Sequence, residues 1–544
     1  MRNAAIKKQP NVLIFMTDQQ SSYTLCDGHY ARAKNPHLDR FCQRAVTFTN
    51  AYTPSPHCCP SRASFFTSKY PSEHGVWNNV NVTNALSRGP REATPFWSRD
   101  LKQAGYDLAF SGKWHVSNSE QPADFGWKEL KVTAQGSGVS LSADEQRSRA
   151  RTKEIKLLES YNPALTETNR QPGQIIRPGW PNYTHFGTDE NPFDDLLVVD
   201  TAIKQVKSYA DTSDEALPWC MYVGTLGPHD PYTPQSKYLD WYDQSDIELP
   251  QSFDDTMDDK PGLYRRTRDR FDQLTAEEHR DAIRHYLAFC SYEDALFGKL
   301  VSALEETDQL DNTVVVFLSD HGDYLGEHGL WGKGLPAFQS AYRIPLVIGG
   351  PGISADLQGA QLDHPTSIVD VGPTIVELCD VEPSYQVSGT SLVPLLTNSS
   401  QETPKPDVFF QSNGNEAYGI QRAVISDGWK LVYNMFDQDE LYDLGKDPEE
   451  ITNLLADPVG QRKVGRGPLD SIPSNLRAKV EELYRKLWKF GIAHDDENIN
   501  GYVLTALAPF GPGIVADPSS SKNYLGNDEA NSLNTQQLSG STPV

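Results

Sequence analysis

Four continuous apolar runs punctuate the chain, and each stops at polar groups capable of chemistry. Asn11-Val-Leu-Ile-Phe-Met16 has no polar alternation, the pattern of a parallel strand buried on both faces, and it ends in Thr17-Asp18-Gln19. Tyr106-Asp-Leu-Ala-Phe110 runs into Ser111-Gly-Lys113-Trp-His115. Trp219-Cys-Met-Tyr-Val-Gly224 delivers Thr225-Leu-Gly-Pro-His229-Asp230, and Asn312-Thr-Val-Val-Val-Phe-Leu318 delivers Ser319-Asp320-His321, with Lys333 shortly after. Val46 to Tyr52 and Ile344 to Ile348 predict two further strands.

Between these runs the period changes from strand to helix. Asn35-Pro36 opens a short helix, since proline suits a first helical turn. Phe96 to Ala104 reads as another helix, closed by Gly105. Thr275-Ala-Glu-Glu278 is a capping box before a long helix whose Ile283, Tyr286, Leu287, Cys290, Phe297, Leu300 and Leu304 keep helical spacing. Strands alternating with helices predict an α/β fold around a large, mostly parallel central sheet flanked by helices. In such sheets ligands sit beyond the carboxyl ends of the strands, so Asp18, Lys113, His115, His229, Asp320 and His321 are expected at one rim.

Three stretches depart from that alternation. Residues from about 130 to 200 are polar and broken by Gly and Pro, which predicts an insertion over the active face where substrate is selected. Beyond about 400, short strands at Val408 to Gln411, Tyr418 to Ile425, Trp429 to Tyr433 and Glu440 to Asp443 predict a smaller C-terminal antiparallel sheet. A helix at 474–490 is expected to pack on it. Residues 501–544, rich in Ser, Asn, Gly and Pro, read as an extended arm suited to packing on a second copy. The expected organisation is a catalytic domain over 1–400, a subdomain over 401–500 and that arm, with a homo-oligomer built through it.

Composition narrows the partners. Lys and Arg number 49 against 73 Asp and Glu, a net charge of −24, so a nucleic-acid face is not expected. A pocket for an anion must then be assembled residue by residue against the overall field. No run of eighteen apolar residues occurs, so no membrane span is expected. The short apolar run after a basic start does not read as a signal peptide, and the seven cysteines lack paired zinc spacing. Together these lead us to expect a cytoplasmic protein with reduced thiols.

The chemistry gathers around His57-Cys58-Cys59-Pro60-Ser61-Arg62-Ala63-Ser64-Phe65-Phe66-Thr67. Cys58 falls at a helix N-terminus, where free N–H groups and the helix dipole favour an anion, with Arg62 one turn on. Taken alone, a buried structural thiol is the commoner role for such a cysteine, and a turn or cap the commoner role for Asp18. Two carboxylates such as Asp18 and Asp320 cannot share a rim without a cation, so one divalent metal is implied, with Gln19 and His321 completing the donors. Arg62, Lys113, His115, His229 and Lys333 supply the positive charge and proton donors that a tetrahedral anionic ester requires.

The string Cys-x-Pro-Ser-Arg followed by Ala-Ser-Phe-Phe-Thr resembles the signature of the sulfatase family, in which the first cysteine is oxidised to formylglycine. The resemblance covers roughly residues 10 to 450, including Trp429-Lys-Leu-Val-Tyr and Glu440-Leu-Tyr-Asp-Leu. It implies an alkaline-phosphatase-like α/β sandwich and a formylglycine-generating enzyme as maturation partner. It further implies Cys58 as the modified residue, Arg62 as partner of the aldehyde hydrate, and metal binding by Asp18, Asp320, His321 and the hydrate. His115 then resembles the base that collapses the sulfated hydrate, while Lys113, His229 and Lys333 hold sulfate or assist the leaving oxygen. Asn79 matches a substrate-contacting asparagine of related phosphonate hydrolases. Gln19 and His321 stand where many sulfatases carry Asp and Asn, and are similar to choline-sulfatase and phosphonate-monoester-hydrolase forms. Oxygen donors suit Ca²⁺, whereas an imidazole moves the balance toward Mn²⁺. The expected activity is hydrolysis of sulfate monoesters, aryl sulfates among them. The alternatives are a phosphonate monoester or phosphodiester hydrolase on the same scaffold, and an inactive anion-binding protein if Cys58 is never oxidised.

Overall fold

A computed structural model describes residues 9–131, 167–177, 180–210, 217–397, 405–415, 417–456, 472–506, 510 and 512–515. Most of the predicted insertion and arm therefore lies outside the described residues. The chain forms two compact units, Met1–Ala456 and Asp457–Val544. The second contains the helix Arg477–Ala493, whose apolar stripe includes Val480, Leu483, Tyr484, Leu487 and Trp488, and the short helix Gly501–Ala506.

The first unit is built on an eight-stranded mixed sheet. Asn11–Thr17 lies between the parallel strands Trp219–Gly224 and Thr313–Ser319, and Asp107–Gly112 continues the parallel set beside Trp219–Gly224. The continuous apolar runs follow from this central position, because alternate residues enter two different cores. Leu13, Phe15, Val315 and Phe317 face one core with the helices Asp195–Ala210 and Ala276–Glu306. Val12, Ile14, Met16, Val314 and Val316 face the other, with Phe65, Phe66, Trp97 and Ile375. The predicted capping box is present: Thr275 accepts from Glu278 N at 3.2 Å and Glu278 accepts from Thr275 N at 2.8 Å.

Two strand readings change. The run expected as one strand over 46–52 is two, Ala45–Phe48 in the large sheet and Ala51–Tyr52 in a separate three-stranded sheet. The Arg343 side chain bonds the Thr49 carbonyl from Nε at 2.8 Å, occupying the backbone at the break. The run expected as one strand over 344–348 is also two, Arg343–Ile344 in the three-stranded sheet and Leu346–Gly349 in the large one, where it runs antiparallel to both neighbours in a sheet whose other pairs are parallel. The four strands after residue 400 form the expected antiparallel sheet, in the order Val408–Gly414, Tyr418–Ser426, Trp429–Asn434, Glu440–Asp443. That sheet belongs to the same unit as the large one.

Several histidines are folded in as neutral acceptors. His279 Nδ1 accepts from Trp331 Nε1 at 2.8 Å, and His74 Nδ1 accepts from Val76 N at 3.1 Å. Burial, the largest cause in each case, pushes His279 down from 6.5 to about 4, and His74 and His185 to about 3. The unfolded chain therefore takes up these protons first, and stability is lost as pH falls from 6.5 toward 4. The melting temperature is expected to drop between about pH 7 and about pH 5, with a smaller drop in His279→Gln. Equal drops in the two proteins would show that His279 does not contribute.

Candidate active site

The helix Cys58–Thr67 is buried along its whole length and ends at Ser68, which takes the left-handed conformation at φ 53°. It points its N-terminus at the rim where the parallel strands finish. Cys58 is only 1% exposed, with Sγ 3.3 Å from His321 Nε2 and 3.7 Å from Asp18 Oδ1. One turn along, the fully buried Arg62 bonds Asp320 Oδ2 at 2.8 Å, Asp18 Oδ2 at 3.0 Å, the Tyr222 hydroxyl at 2.8 Å and the Lys113 carbonyl at 3.2 Å. Asp18, Asp320 and Lys113 stand just past the ends of three parallel strands and Tyr222 lies within the fourth, so one guanidinium ties all four together. The resemblance implied Arg62 as partner of an aldehyde hydrate; its nitrogens here are placed on the two carboxylates.

Asp18, Cys58, Asp320 and His321 offer donor atoms that all lie within 4.8 Å of one another, and all four residues are buried. His321 Nδ1 donates to the Gly322 carbonyl at 2.9 Å, which fixes the tautomer and leaves Nε2 toward Cys58. Asp320 Oδ1 accepts from His321 N at 2.9 Å and Gln19 N at 3.1 Å. Burial and the neighbouring Cys58 raise the Asp18 carboxyl, but Lys113, His229 and Arg62 outweigh them and hold it well below the usual carboxylate range. Asp320 is raised, by burial first and by Asp18, against the pull of Arg62. Two carboxylates and an imidazole converging in a buried site fit a divalent cation.

Gln19 is placed differently from its three neighbours. Its backbone is left-handed, at φ 68°, and its side-chain oxygen accepts from Lys333 Nζ. Its amide donates to Asp323 Oδ2 at 2.6 Å and to Asp230 Oδ1 at 3.2 Å. Gln19 thus anchors a cation of the pocket, and its carbonyl faces Lys333.

Cys58, Asn79, Lys113, His115, His229 and Lys333 line one cavity of about 290 Å³. Lys113 pairs directly with Asp18 Oδ2. His229 Nδ1 donates to the Asp230 carbonyl at 2.6 Å, so its Nε2 accepts from Lys333 Nζ at 2.8 Å and faces Asp18 Oδ1 at 4.0 Å. Burial and Lys333 lower His229, and Asp230, Cys58 and Asp18 overcome them, leaving its pKa raised. His115 is lowered, by burial first and by Lys113, against a side-chain hydrogen bond with Cys58, and among the described residues neither ring nitrogen has a nitrogen or oxygen partner within 3.5 Å. It is held as a neutral base beside Cys58. Burial raises the Cys58 thiol, yet Lys113, Lys333, His321 and His115 bring it well below its ordinary value. Cys59 is raised instead, mainly by burial, and its sulfur accepts from Val80 N at 3.3 Å, away from the cations.

Beyond Asn79, which the resemblance implied, the remaining wall residues were not named individually by the sequence. Asn79 Oδ1 accepts from Cys59 N at 3.1 Å, and Asn79 N donates to Asn415 Oδ1 at 3.0 Å. Asn415 comes from the hairpin of the small sheet, whose pattern announced only strands. Tyr183, His185, Phe271 and Trp331 line the same cavity. Tyr183 donates to Asp230 Oδ2 at 3.2 Å, and Asp323 receives the Tyr232 hydroxyl at 2.6 Å. Asp230 and Asp323 were adjacent to recognised site residues, and that adjacency was the available signal.

The chain matches the Sulfatase family over residues 10–381 and the C-terminal domain of N-sulphoglucosamine sulphohydrolase over residues 326–466. It is 31% identical over 491 residues to a choline-sulfatase of Rhizobium meliloti, covering 85% of this chain and 84% of that one. It is 26% identical to an N-acetylglucosamine-6-O-sulfatase of Bacteroides thetaiotaomicron, covering 82% and 83%. Its fold is similar to that of a phosphonate monoester hydrolase of Silicibacter pomeroyi, with a TM-score of 0.67, 21% identity and 92% and 98% of the two chains covered. The buried Cys-x-Pro-Ser-Arg helix, its carboxylate rim and these matches lead to one conclusion: this chain belongs to the sulfatase family.

Proposed function

We propose that this protein hydrolyses sulfate monoesters, aryl sulfates among them, with Cys58 oxidised to formylglycine as the source of the nucleophile. The observation that carries this reading is the position of residue 58. It stands beside the Asp18, Asp320 and His321 donors and faces Lys113, His115 and Lys333 in one cavity. In the oxidised protein, one hydroxyl of the aldehyde hydrate would lose its proton to solvent and attack sulfur as the bond from sulfur to the alcohol oxygen breaks. The hydrogen-bonded pair of Lys333 Nζ and His229 Nε2 gives that oxygen its proton, with the ammonium of Lys333 as its source. His115, neutral and otherwise unpaired, takes the proton of the second hydroxyl; the aldehyde re-forms, sulfate leaves, and water restores the hydrate. Lys113 and Lys333 hold the sulfate oxygens. Asp18, Asp320 and His321 would hold a divalent cation, Ca²⁺ or Mn²⁺, which when bound neutralises the sulfate and favours the ionised hydroxyl.

The rings of Tyr183, Phe271 and Trp331 in the cavity lining support acceptance of an aromatic alcohol. All seven cysteines are free and no described helix is long and apolar enough to cross a membrane; the thiols support a reducing compartment such as the cytoplasm. A formylglycine-generating enzyme is the maturation partner this chemistry requires.

Sulfate is favoured over phosphonate by Lys113 and His115. A sulfate monoester carries one charge and gains little from further protonation, so its hydrolysis depends on a neutralised leaving oxygen and a base for the sulfated hydrate. The wild-type kcat/KM for an aryl sulfate is expected to exceed that for the matched phenyl phosphonate monoester; the reverse order would overturn the assignment. Changing Lys113→Tyr and His115→Thr together is expected to shift the ratio toward phosphonate by about tenfold or more. An unmoved ratio would show that these two side chains do not set the choice.

A further inference from the structure

Behind the turn that carries His229 lie two buried carboxyls outside the machinery described above. Asp195 opens the helix Asp195–Ala210, and Glu293 lies within Ala276–Glu306; both are fully buried. Asp195 accepts from Leu226 N with both oxygens at 3.0 Å and from Gly227 N at 2.8 Å. Gly227 in turn gives its carbonyl to Asp18 N at 3.1 Å, and His229 N closes the turn on the Leu226 carbonyl at 3.1 Å. The two peptide N–H groups that Asp195 grips therefore belong to the short connection between a metal-site carboxylate and His229.

Glu293 presses on the same turn from the long helix. A Cβ on Gly227 would meet Glu293 Oε1 at 2.2 Å and Phe289 Cε2 at 2.5 Å, so a side chain at 227 is excluded. Among the described residues neither Glu293 oxygen has a hydrogen-bond partner within 3.5 Å, and the neighbouring Thr225 hydroxyl is in the same position. Burial pushes the Asp195 carboxyl up to about 7, and burial followed by the neighbouring Asp195 raises Glu293 well above its ordinary value. The arrangement is one carboxyl gripping the turn through two peptide N–H groups and a second carboxyl set against it.

We infer that Asp195 and Glu293 form a buried acid pair that positions the Thr225–His229 turn, and through it His229 and Asp18. Both are positioning residues, and neither lines the reactive cavity. The rate readout rests on the sulfate-ester reading above, whereas the backbone readout does not.

The test uses the full chain and the variants Asp195→Asn, Glu293→Gln and Glu293→Leu. Aryl sulfate kinetics are measured beside hydrogen exchange of the peptide amides of Leu226 and Gly227. Asp195→Asn keeps the size but turns an N–H₂ toward a backbone N–H. It is expected to lower kcat about a hundredfold with KM within about threefold, because a displacement of about 1 Å is enough for that loss. Exchange at Leu226 and Gly227 is expected to accelerate at least tenfold. Glu293→Gln keeps the shape and a polar end against the turn and is expected to retain kcat within about twofold, whereas Glu293→Leu behaves like Asp195→Asn. Unchanged exchange at Leu226 and Gly227 in Asp195→Asn overturns the inference whether or not any ester is hydrolysed. If Asp195→Asn does not fold, the contrast between Gln and Leu at 293 decides, and equal behaviour of those two overturns it. A wild-type protein inert toward sulfate esters would instead overturn the proposed function and leave the exchange result to judge the pair.

Discussion

Replacing Cys58 by alanine is expected to abolish turnover while leaving the fold intact. Deleting one sulfur atom from a packed site costs on the order of 1 kcal/mol, which a chain of 544 residues tolerates. Deleting the atom that becomes the nucleophile removes the reaction path, for a loss on the order of 10⁴-fold or more. Cys59→Ala is the control, since Cys59 Sγ faces the Val80 amide and not the cations. The decisive pair of measurements is steady-state turnover and the intact mass of the peptide containing residue 58. The mass is expected to show an aldehyde or its hydrate in place of the thiol. Cys58→Ser is expected to fail as well: a simple hydroxyl can accept sulfate but has no second hydroxyl whose ionisation expels it. Full activity in purified Cys58→Ala protein would end the mechanism, and full activity in Cys58→Ser would end its second half.

Asp320→Asn is expected to lose the divalent ion and, with it, about a thousandfold or more of the rate. The substitution preserves volume but removes the charge that sits opposite Arg62 Nε at 2.8 Å and beside His321. It leaves Arg62 with Asp18 as its remaining carboxylate and unbalances a buried set of charges. The measurement is metal content by elemental analysis together with activity after chelation and re-addition of Ca²⁺ or Mn²⁺. The wild type is expected to hold one ion per chain and the variant close to none. A metal-free wild-type preparation of undiminished activity would refute the site directly.

Much of this architecture was legible because burial on two faces leaves a plain trace. Asn11–Thr17 and Thr313–Ser319 are apolar at every core position, and their polar residues begin where the strand ends. Strand direction leaves no such trace, so Leu346–Gly349 reads the same whether parallel or antiparallel. The break at Thr49-Asn50 depends on Arg343, almost three hundred residues away, and no local pattern could show it. At the site, residue types and places were readable but their partners were not. Gln19 sits where a ligand was expected, yet its amide is committed to Lys333, Asp323 and Asp230. Asn415 reaches the cavity from a hairpin whose pattern predicts only strands, whereas Tyr183 and His185 come from the insertion expected over the active face, where the pattern names no particular residue. Glu293 is harder still, because a glutamate in a long helix reads as solvated surface until the packing around Gly227 is seen.

The burial of Cys58 also sets a timetable. A maturation enzyme must take a stretch of chain around the thiol into its own active site. In the folded protein that stretch is a helix buried from Cys58 to Thr67 and clamped by Arg62 to four strands. Under the proposed oxidation, the thiol is open to such an enzyme only before the rim closes. The yield of competent protein is then a race between two rates. Asp320, at the far end of the clamp, is synthesised more than 250 residues after Cys58. Ribosomal elongation of about 5–20 residues per second makes that separation a window of tens of seconds. Conditions that slow translation should therefore raise the active fraction, and a scarcity of the maturation enzyme should yield well-folded protein with no nucleophile.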